Sequence, residues 1–291
     1  MSAPTIAPMN TAPDVPELRE VHGPSALGGG SRRFFELLWL MSVTEFKRAY
    51  FGTVLGYFWS LLRPLLLFAV LLFVFTKIFR LGSETVNYPV LLLFNIVLFG
   101  FFSETTTTAV TSVVAQEGIV RKTQFPRLVI PLSIVLTGLM NLALNMIAVF
   151  GFILAYGVDP RWTWLLLPVI IVPLAVFTTS VAMLLSVLYV RFRDVAIIWS
   201  VAATMLFYGT PLLYPIEVST TEGFRAALMA NPLAVIFEQA RVWVIDANAP
   251  GPAEAAGGTL RLIPAALIFV VACVLGWRVF NREAPRVAEA L

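Results

Sequence analysis

From Leu128 to Tyr156 the chain reads LVIPLSIVLTGLMNLALNMIAVFGFILAY, with no acidic or basic side chain. A helix needs roughly 20 apolar residues to cross the hydrocarbon core of a bilayer, and inside lipid only helices and closed barrels satisfy their own backbone. The stretch lacks the period-2 alternation of a barrel strand, so it reads as a membrane-crossing helix. Comparable runs occur at 51–79, 88–115, 162–189, 195–215 and 260–281, six spans in all. The whole chain agrees: of 291 residues 59% are hydrophobic and 13% charged, and the mean hydropathy is +0.86, far from a soluble domain. Pro89, Pro131, Pro168, Pro173 and Pro264 lie in or at the starts of spans, as membrane helices tolerate, and Pro64, Pro168 and Pro173 are expected to kink theirs.

Charge sets the orientation, because short cytoplasmic loops retain Lys and Arg. Of the 20 basic residues, fourteen fall on one side (Arg19, Arg32, Arg33, Lys47, Arg48, Arg63, Arg121, Lys122, Arg127, Arg191, Arg193, Arg278, Arg282, Arg286) and six on the other. This bias places both termini in the cytoplasm and requires an even number of spans. Residues 1–31 carry five prolines and the run Gly28-Gly29-Gly30 with few large apolar groups, and read as a disordered cytoplasmic tail. No apolar stretch of a secretory signal precedes Gly30. Residues 282–291 form a second cytoplasmic tail.

Two segments are neither spans nor tails. Residues 32–50 plot as an amphipathic helix, with Phe35, Leu38, Trp39, Phe46 and Ala49 opposite Arg33, Glu36, Thr44 and Lys47. Such a helix lies along the cytoplasmic interface or extends the first span. Residues 211–258 are too polar to span, yet hold two short helical patterns parted by Asn231-Pro232, a helix cap followed by a first-turn proline. Leu233, Ile236, Phe237, Ala240 and Val244 make one apolar stripe in the second pattern. A helical hairpin re-entering the outer leaflet accounts for it, as does an amphipathic outer loop. The predicted architecture is therefore an all-α integral membrane protein with six transmembrane helices, an N-terminal interface helix and an outer re-entrant hairpin.

Chemistry is conspicuous by what the chain omits. There is no G-x-x-x-x-G-K-[ST] phosphate loop, no H-E-x-x-H and no G-x-S-x-G. The single histidine, His22, lies in the tail, and the single cysteine, Cys273, permits no intramolecular disulfide. No catalytic residue and no metal site are assigned, and nothing in the charge calls for nucleic acid. Within the spans two charges stand out. Glu104, followed by Thr105 to Thr108, either faces a polar conduit or is neutralised by a neighbouring helix, and Arg63 precedes Pro64 in the first span. Aromatic rings cluster at Tyr57, Phe58 and Trp59 on the first span, and Trp199, Phe207 and Tyr214 fall within about 80° on the fifth.

Several stretches together resemble the membrane subunit of ABC-2-type exporters, particularly those moving O-antigen, teichoic acid and cell-wall galactan. They are Tyr50 to Pro64 (YFGTVLGYFWSLLRP), Phe125-Pro126-Arg127 with Pro131-Leu132-Ser133, Arg193-Asp194-Val195, Pro211-Leu212-Leu213-Tyr214-Pro215 and Asn231-Pro232-Leu233. The likeness runs from about residue 32 to the end. It implies a homodimeric permease in the cytoplasmic (inner) membrane that passes a lipid-linked polysaccharide, with membrane lipids around it. It further implies two copies of a separate ATPase, which would bind the ATP and magnesium that this chain does not. The loop 116–127 would then couple to the ATPase through Glu117, Arg121, Lys122, Phe125 and Pro126. Tyr57, Phe58, Trp59, Arg63, Glu104, Trp199, Phe207 and Tyr214 would be candidates to line the conduit, and Asn231, Pro232 and Phe237 to form an outer gate. Arg63 departs from the family pattern, where a neutral or acidic residue is expected. It either alters charge selectivity near the conduit or snorkels to headgroups. An ABC-2 drug or lipid exporter shares this topology but usually lacks the inner helix and long hairpin. A membrane-embedded glycosyl or acyl transferase would need a polar constellation that the sequence does not offer.

Overall fold

The computed structural model describes residues 30–50, 56, 58–79, 87–118, 126–218 and 221–284, and the regular structure among them is helical throughout. In chain order the helices are α1 (Gly30–Tyr50), α2 (Phe58–Phe73, running into a π turn over Val74–Ile78), α3 (Tyr88–Ala115), α4 (Val129–Ala155) and α5 (Leu167–Arg191, entered by a 3-10 turn over Trp162–Leu166). Then come α6 (Val195–Gly209), α7 (Glu222–Leu228), α8 (Pro232–Val244), α9 (Pro252–Ala255) and α10 (Ile263–Glu283, entered by a 3-10 turn over Thr259–Leu262).

Five helical stretches are long and apolar enough to cross a membrane: Phe58–Ile78, Tyr88–Ala115, Val129–Ala155, Trp162–Arg191 and Thr259–Glu283. The chain is a multi-pass membrane protein. The run at 195–215 becomes the 15-residue helix α6, about 22 Å long at 1.5 Å per residue and shorter than a full crossing of roughly 30 Å. Its early end has a local cause. Proline disfavours helical backbone in the residue before it, and ahead of Pro211 the backbone of Thr210 is extended at φ −97, ψ 142. Of the three prolines expected to kink a helix, Pro64 and Pro173 lie inside α2 and α5, whereas Pro168 sits in the first turn of α5, where its missing N–H costs nothing.

Helix α3 is the hub, packed by α2, α4, α5, α6 and α8. Its residues from Tyr88 to Phe102 are apolar on nearly every face and almost all buried, as expected of a helix with neighbours all round. Lipid tails are as apolar as leucine, so helices associate in the membrane through close fit and polar links. Two glycines provide the fit. A β-carbon at Gly138 of α4 would run into the Thr105 hydroxyl and Phe101 ring of α3, and one at Gly276 of α10 into the Ser180 carbonyl of α5. Rings extend the core sideways: Phe269 of α10 stacks on Phe177 of α5 at 5.6 Å, Phe177 on Phe102 of α3 at 5.8 Å, and Phe102 meets Trp199 of α6 at 6.0 Å.

Helix α1 lies against α4. Tyr50 donates its hydroxyl to Asn141 Oδ1 at 2.8 Å, and Thr137 donates to the Ser42 carbonyl at 3.1 Å. It takes in Gly30 and Ser31, which the sequence assigned to the tail, and the remainder of that tail lies outside the described residues. α1 is described to Tyr50 and α2 from Phe58, and between them Gly56 sits in a turn at φ +46, which interrupts the helical backbone. The two are separate helices. The expected apolar face is divided: Leu38 and Phe46 turn partly inward, whereas Phe35 and Trp39 are exposed. Residues from 282 prolong α10 to Glu283 before the described chain ends.

Candidate functional site

The guanidinium of Arg63 on α2 lies 2.9 Å from the Glu104 carboxylate on α3, and 77% and 57% of the two side chains are exposed. Glu104 sits about 24 Å from the Tyr88 end of α3 and about 16 Å from the other, at 1.5 Å per residue. Each charge costs roughly 2.5–3.5 kcal/mol at a bilayer centre on insertion scales. The pairing lowers that cost, but an ion pair open on its outer side still requires polar surroundings. One turn before Arg63, toward the end of the bundle rich in basic residues, Phe58 and Trp59 are also exposed. Tyr57 lies outside the described residues.

The rings of α6 are placed differently. Trp199 donates its indole N–H to Thr106 Oγ1 at 3.1 Å, and Phe207 packs on Phe99 of α3 at 5.3 Å and on Tyr208 at 5.1 Å. Both are partly buried against the hub, while Ile197, Ile198, Val201, Met205 and Tyr208 form the open side of α6. Tyr214 falls beyond the helix end and packs between the main core and a small second core of Ile216, Leu228, Met229, Ala234, Ala255 and Ala256. The Pro211–Pro215 turn is held by α3: Tyr88 donates to the Leu213 carbonyl at 2.7 Å and Asn95 to that of Leu212 at 3.3 Å.

In the hairpin the Asn231 side chain caps α8 by accepting the Leu233 N–H at 3.0 Å, and its amide donates to Thr210 Oγ1 at 2.8 Å. Pro232 occupies the first turn, and the whole stripe of Leu233, Ile236, Phe237, Ala240 and Val244 is buried. The far end of α8 is held from α5's entry turn. Trp164 donates to the Val244 carbonyl at 3.0 Å, and Thr163 donates to that of Trp243.

The same helix carries a cluster that sequence reasoning missed. Arg241 meets both Glu217 oxygens at 2.9 Å and Glu238 at 3.0 Å. Arg241 and Glu238 are buried and Glu217 is exposed. α8 is not among the crossing helices. Burial raises the Glu238 carboxyl to about 7; Arg241 opposes this, and Glu217 adds to it. The Glu238 to Arg241 spacing of three, with Arg241 at the edge of the apolar stripe, was the available signal.

At the basic end, Glu117 is partly buried just beyond α3, and the Pro126 carbonyl accepts the Val129 N–H at 2.9 Å. Arg127 donates to the Ala284 carbonyl, joining the start of α4 to the end of α10. Arg121, Lys122 and Phe125 lie outside the described residues. Among the described residues no group of three or more His, Cys, Asp or Glu is placed to hold a metal ion.

Comparison with known proteins places this architecture. Over 261 residues, 88% of this chain and 95% of the relative, the sequence is 29% identical to an O-antigen export system permease protein RfbA of Klebsiella pneumoniae. Over 190 residues, 65% of this chain and 72% of the relative, it is 30% identical to the protein of that name from Myxococcus xanthus. The profile of one family, described as ABC-2 type transporter, matches residues 36–244, a segment running from α1 through the buried hairpin helix α8, and the chain belongs to that family.

Proposed function

We propose that this chain is the permease of an ATP-driven exporter that carries a lipid-linked polysaccharide across the cytoplasmic membrane. Two copies form the conduit, both termini of each lie in the cytoplasm, and two copies of a separate ATPase drive transport. The observation that carries this reading is the Arg63–Glu104 pair, a basic and an acidic side chain in contact and open on their outer side within two membrane-crossing helices. A water-filled path along the α2 and α3 surface accommodates such a pair, and hydrocarbon does not. The polymer class follows the names of the relatives, which are O-antigen permeases. The loop 116–127 follows the hub helix directly, so an ATPase seated on it through Glu117, Arg121, Lys122, Phe125 and Pro126 would push on the centre of the bundle. Rigid-body displacement of packed helices is the expected form of coupling.

Co-expression with the cognate ATPase should yield a complex of the two proteins, and deletion of this chain should leave an undecorated cell surface with lipid-linked polymer accumulating inside. Replacing Glu117, Arg121 and Phe125 together by alanine should leave the protein inserted while ATP hydrolysis continues without export. Unchanged export in that variant removes the coupling assignment, and an ATPase that neither co-purifies nor responds counts against the exporter itself.

A further inference from the structure

Helix α3 leaves one face open toward the basic end, and that face is polar. Glu104, Thr107, Thr108 and Thr111 are all exposed, and their spacing of three, four and seven residues puts them on a single stripe about 10 Å long at 1.5 Å per residue. Over their middle turns the other crossing helices expose apolar residues, as at Leu66, Val70 and Phe73 of α2, Val169 and Val172 of α5, and Leu267 and Ile268 of α10, and their exposed charges other than Arg63, namely Lys77, Arg191, Arg278 and Arg282, lie near helix ends. The hydroxyls of Thr106, Thr178 and Thr179 close back on the carbonyl one turn earlier, the usual resort of a threonine in apolar surroundings. Among the described residues no hydrogen bond engages those of Thr107, Thr108 and Thr111. Arg63 stands at the head of the stripe through its contact with Glu104 and, 77% exposed, has N–H donors to spare.

We propose that Glu104, Thr107, Thr108 and Thr111, with Arg63, form a hydrogen-bonding track in the conduit wall along which a hydroxyl-rich polymer slides. The inference rests on the exporter reading above. A threonine hydroxyl both donates and accepts, as a sugar hydroxyl does, so the polymer finds partners at any register and exchanges them as it advances. Glu104 and Arg63 neutralise each other, so the track has polarity without a net charge that would trap a chain. The exposed rings of Phe58 and Trp59, about one turn along α2 from Arg63 toward the basic end, offer the C–H faces of the same polymer a stacking surface. A lipid tail would offer the three threonine hydroxyls no partner beyond their own helix carbonyls.

Cys273 is the one cysteine of the chain, so a Cys273→Ser background allows cysteines to be placed singly at Thr107, Thr108 and Thr111, with Val172 and Ile268 as lipid-facing controls. In inside-out vesicles containing the complex with its ATPase and turning over Mg-ATP, a membrane-impermeant maleimide should label the stripe at least about tenfold faster than the controls, because a thiol needs water to ionise. Replacing all three threonines by valine should lower surface display of the polymer about fivefold, and replacing them by serine should restore it. Labelling no faster than the controls overturns the track. So does a disulfide joining two copies through residue 108 without labelling, which would place the stripe between copies, and so does full export by the valine variant. Failure of the exporter reading shows separately, as wild-type complex that displays no polymer at all.

Discussion

Arg241 holds two carboxylates with one guanidinium, and Glu238 is the more deeply buried of them. Its folded pKa of about 7 lies above the ordinary value of 4.5, so the folded protein binds the extra proton between those limits. Stability should therefore fall as pH rises from 4.5 to 7, and level off on either side. The Glu238→Gln variant keeps an acceptor for Arg241 and should abolish that slope, as thermal unfolding in detergent at several pH values would reveal; an unaltered slope would assign it to another group. Arg241→Met strands a buried carboxylate and should cost about 3–5 kcal/mol at pH 8, less at pH 5, where Glu238 is protonated. Of this cluster the sequence showed only the spacing of three between Glu238 and Arg241 beside the apolar stripe. The Glu217 end of the cluster lies 24 residues upstream and on another element. Arg63 and Glu104 were each conspicuous as charges within spans, but their pairing depends on the relative rotation of α2 and α3, which helical periodicity leaves undetermined.

Among the elements, α8 shows what local sequence specifies well. Asn231 accepts the N–H of the first turn, Pro232 fits that turn, and the stripe that follows is buried. Each rests on backbone chemistry or period within a few residues of itself. Asn231→Ala should destabilise α8 by about 1 kcal/mol from the lost cap, with a further loss from the amide bond to Thr210. Asn231→Asp, which can still accept but not donate, should fall between. Faster amide exchange over the first turn of α8, graded Ala over Asp over wild type, is the expected result, and equal exchange in all three would deny the cap its role. The limits of α2 to α6 were legible in a different degree. α3 and α4 begin and end within a residue of their apolar runs, because hydropathy alone delimits them. α6 stops at Gly209 despite apolar residues beyond, because the restriction imposed by Pro211 outweighs hydropathy at that point. The π turn at Val74–Ile78 and the close approaches at Gly138 and Gly276 depend on neighbours and were not legible.

For the whole molecule, the decisive constraint is that the interior is full. The rings of Phe269, Phe177, Phe102 and Trp199 cross the bundle from α10 to α6, and α3 fills its middle. In the exporter proposed above, the polymer would therefore follow an outer surface of the chain and not its packed core. Of the surfaces available, the one shared by α2 and α3 carries the Arg63–Glu104 pair. Reversing one member, as in Arg63→Glu or Glu104→Arg, puts two like charges within hydrogen-bonding range inside the membrane and should reduce export at least tenfold, since about 1.4 kcal/mol is enough for that factor. Exchanging both restores an ion pair of the same geometry with its polarity inverted. If the pair serves to keep the wall polar and neutral, the double exchange should recover most of the export lost by either single change, with all variants present in the membrane at equal amounts. If the double variant remains as impaired as the singles, the polarity itself matters, and the wall discriminates by charge rather than by hydrogen bonding.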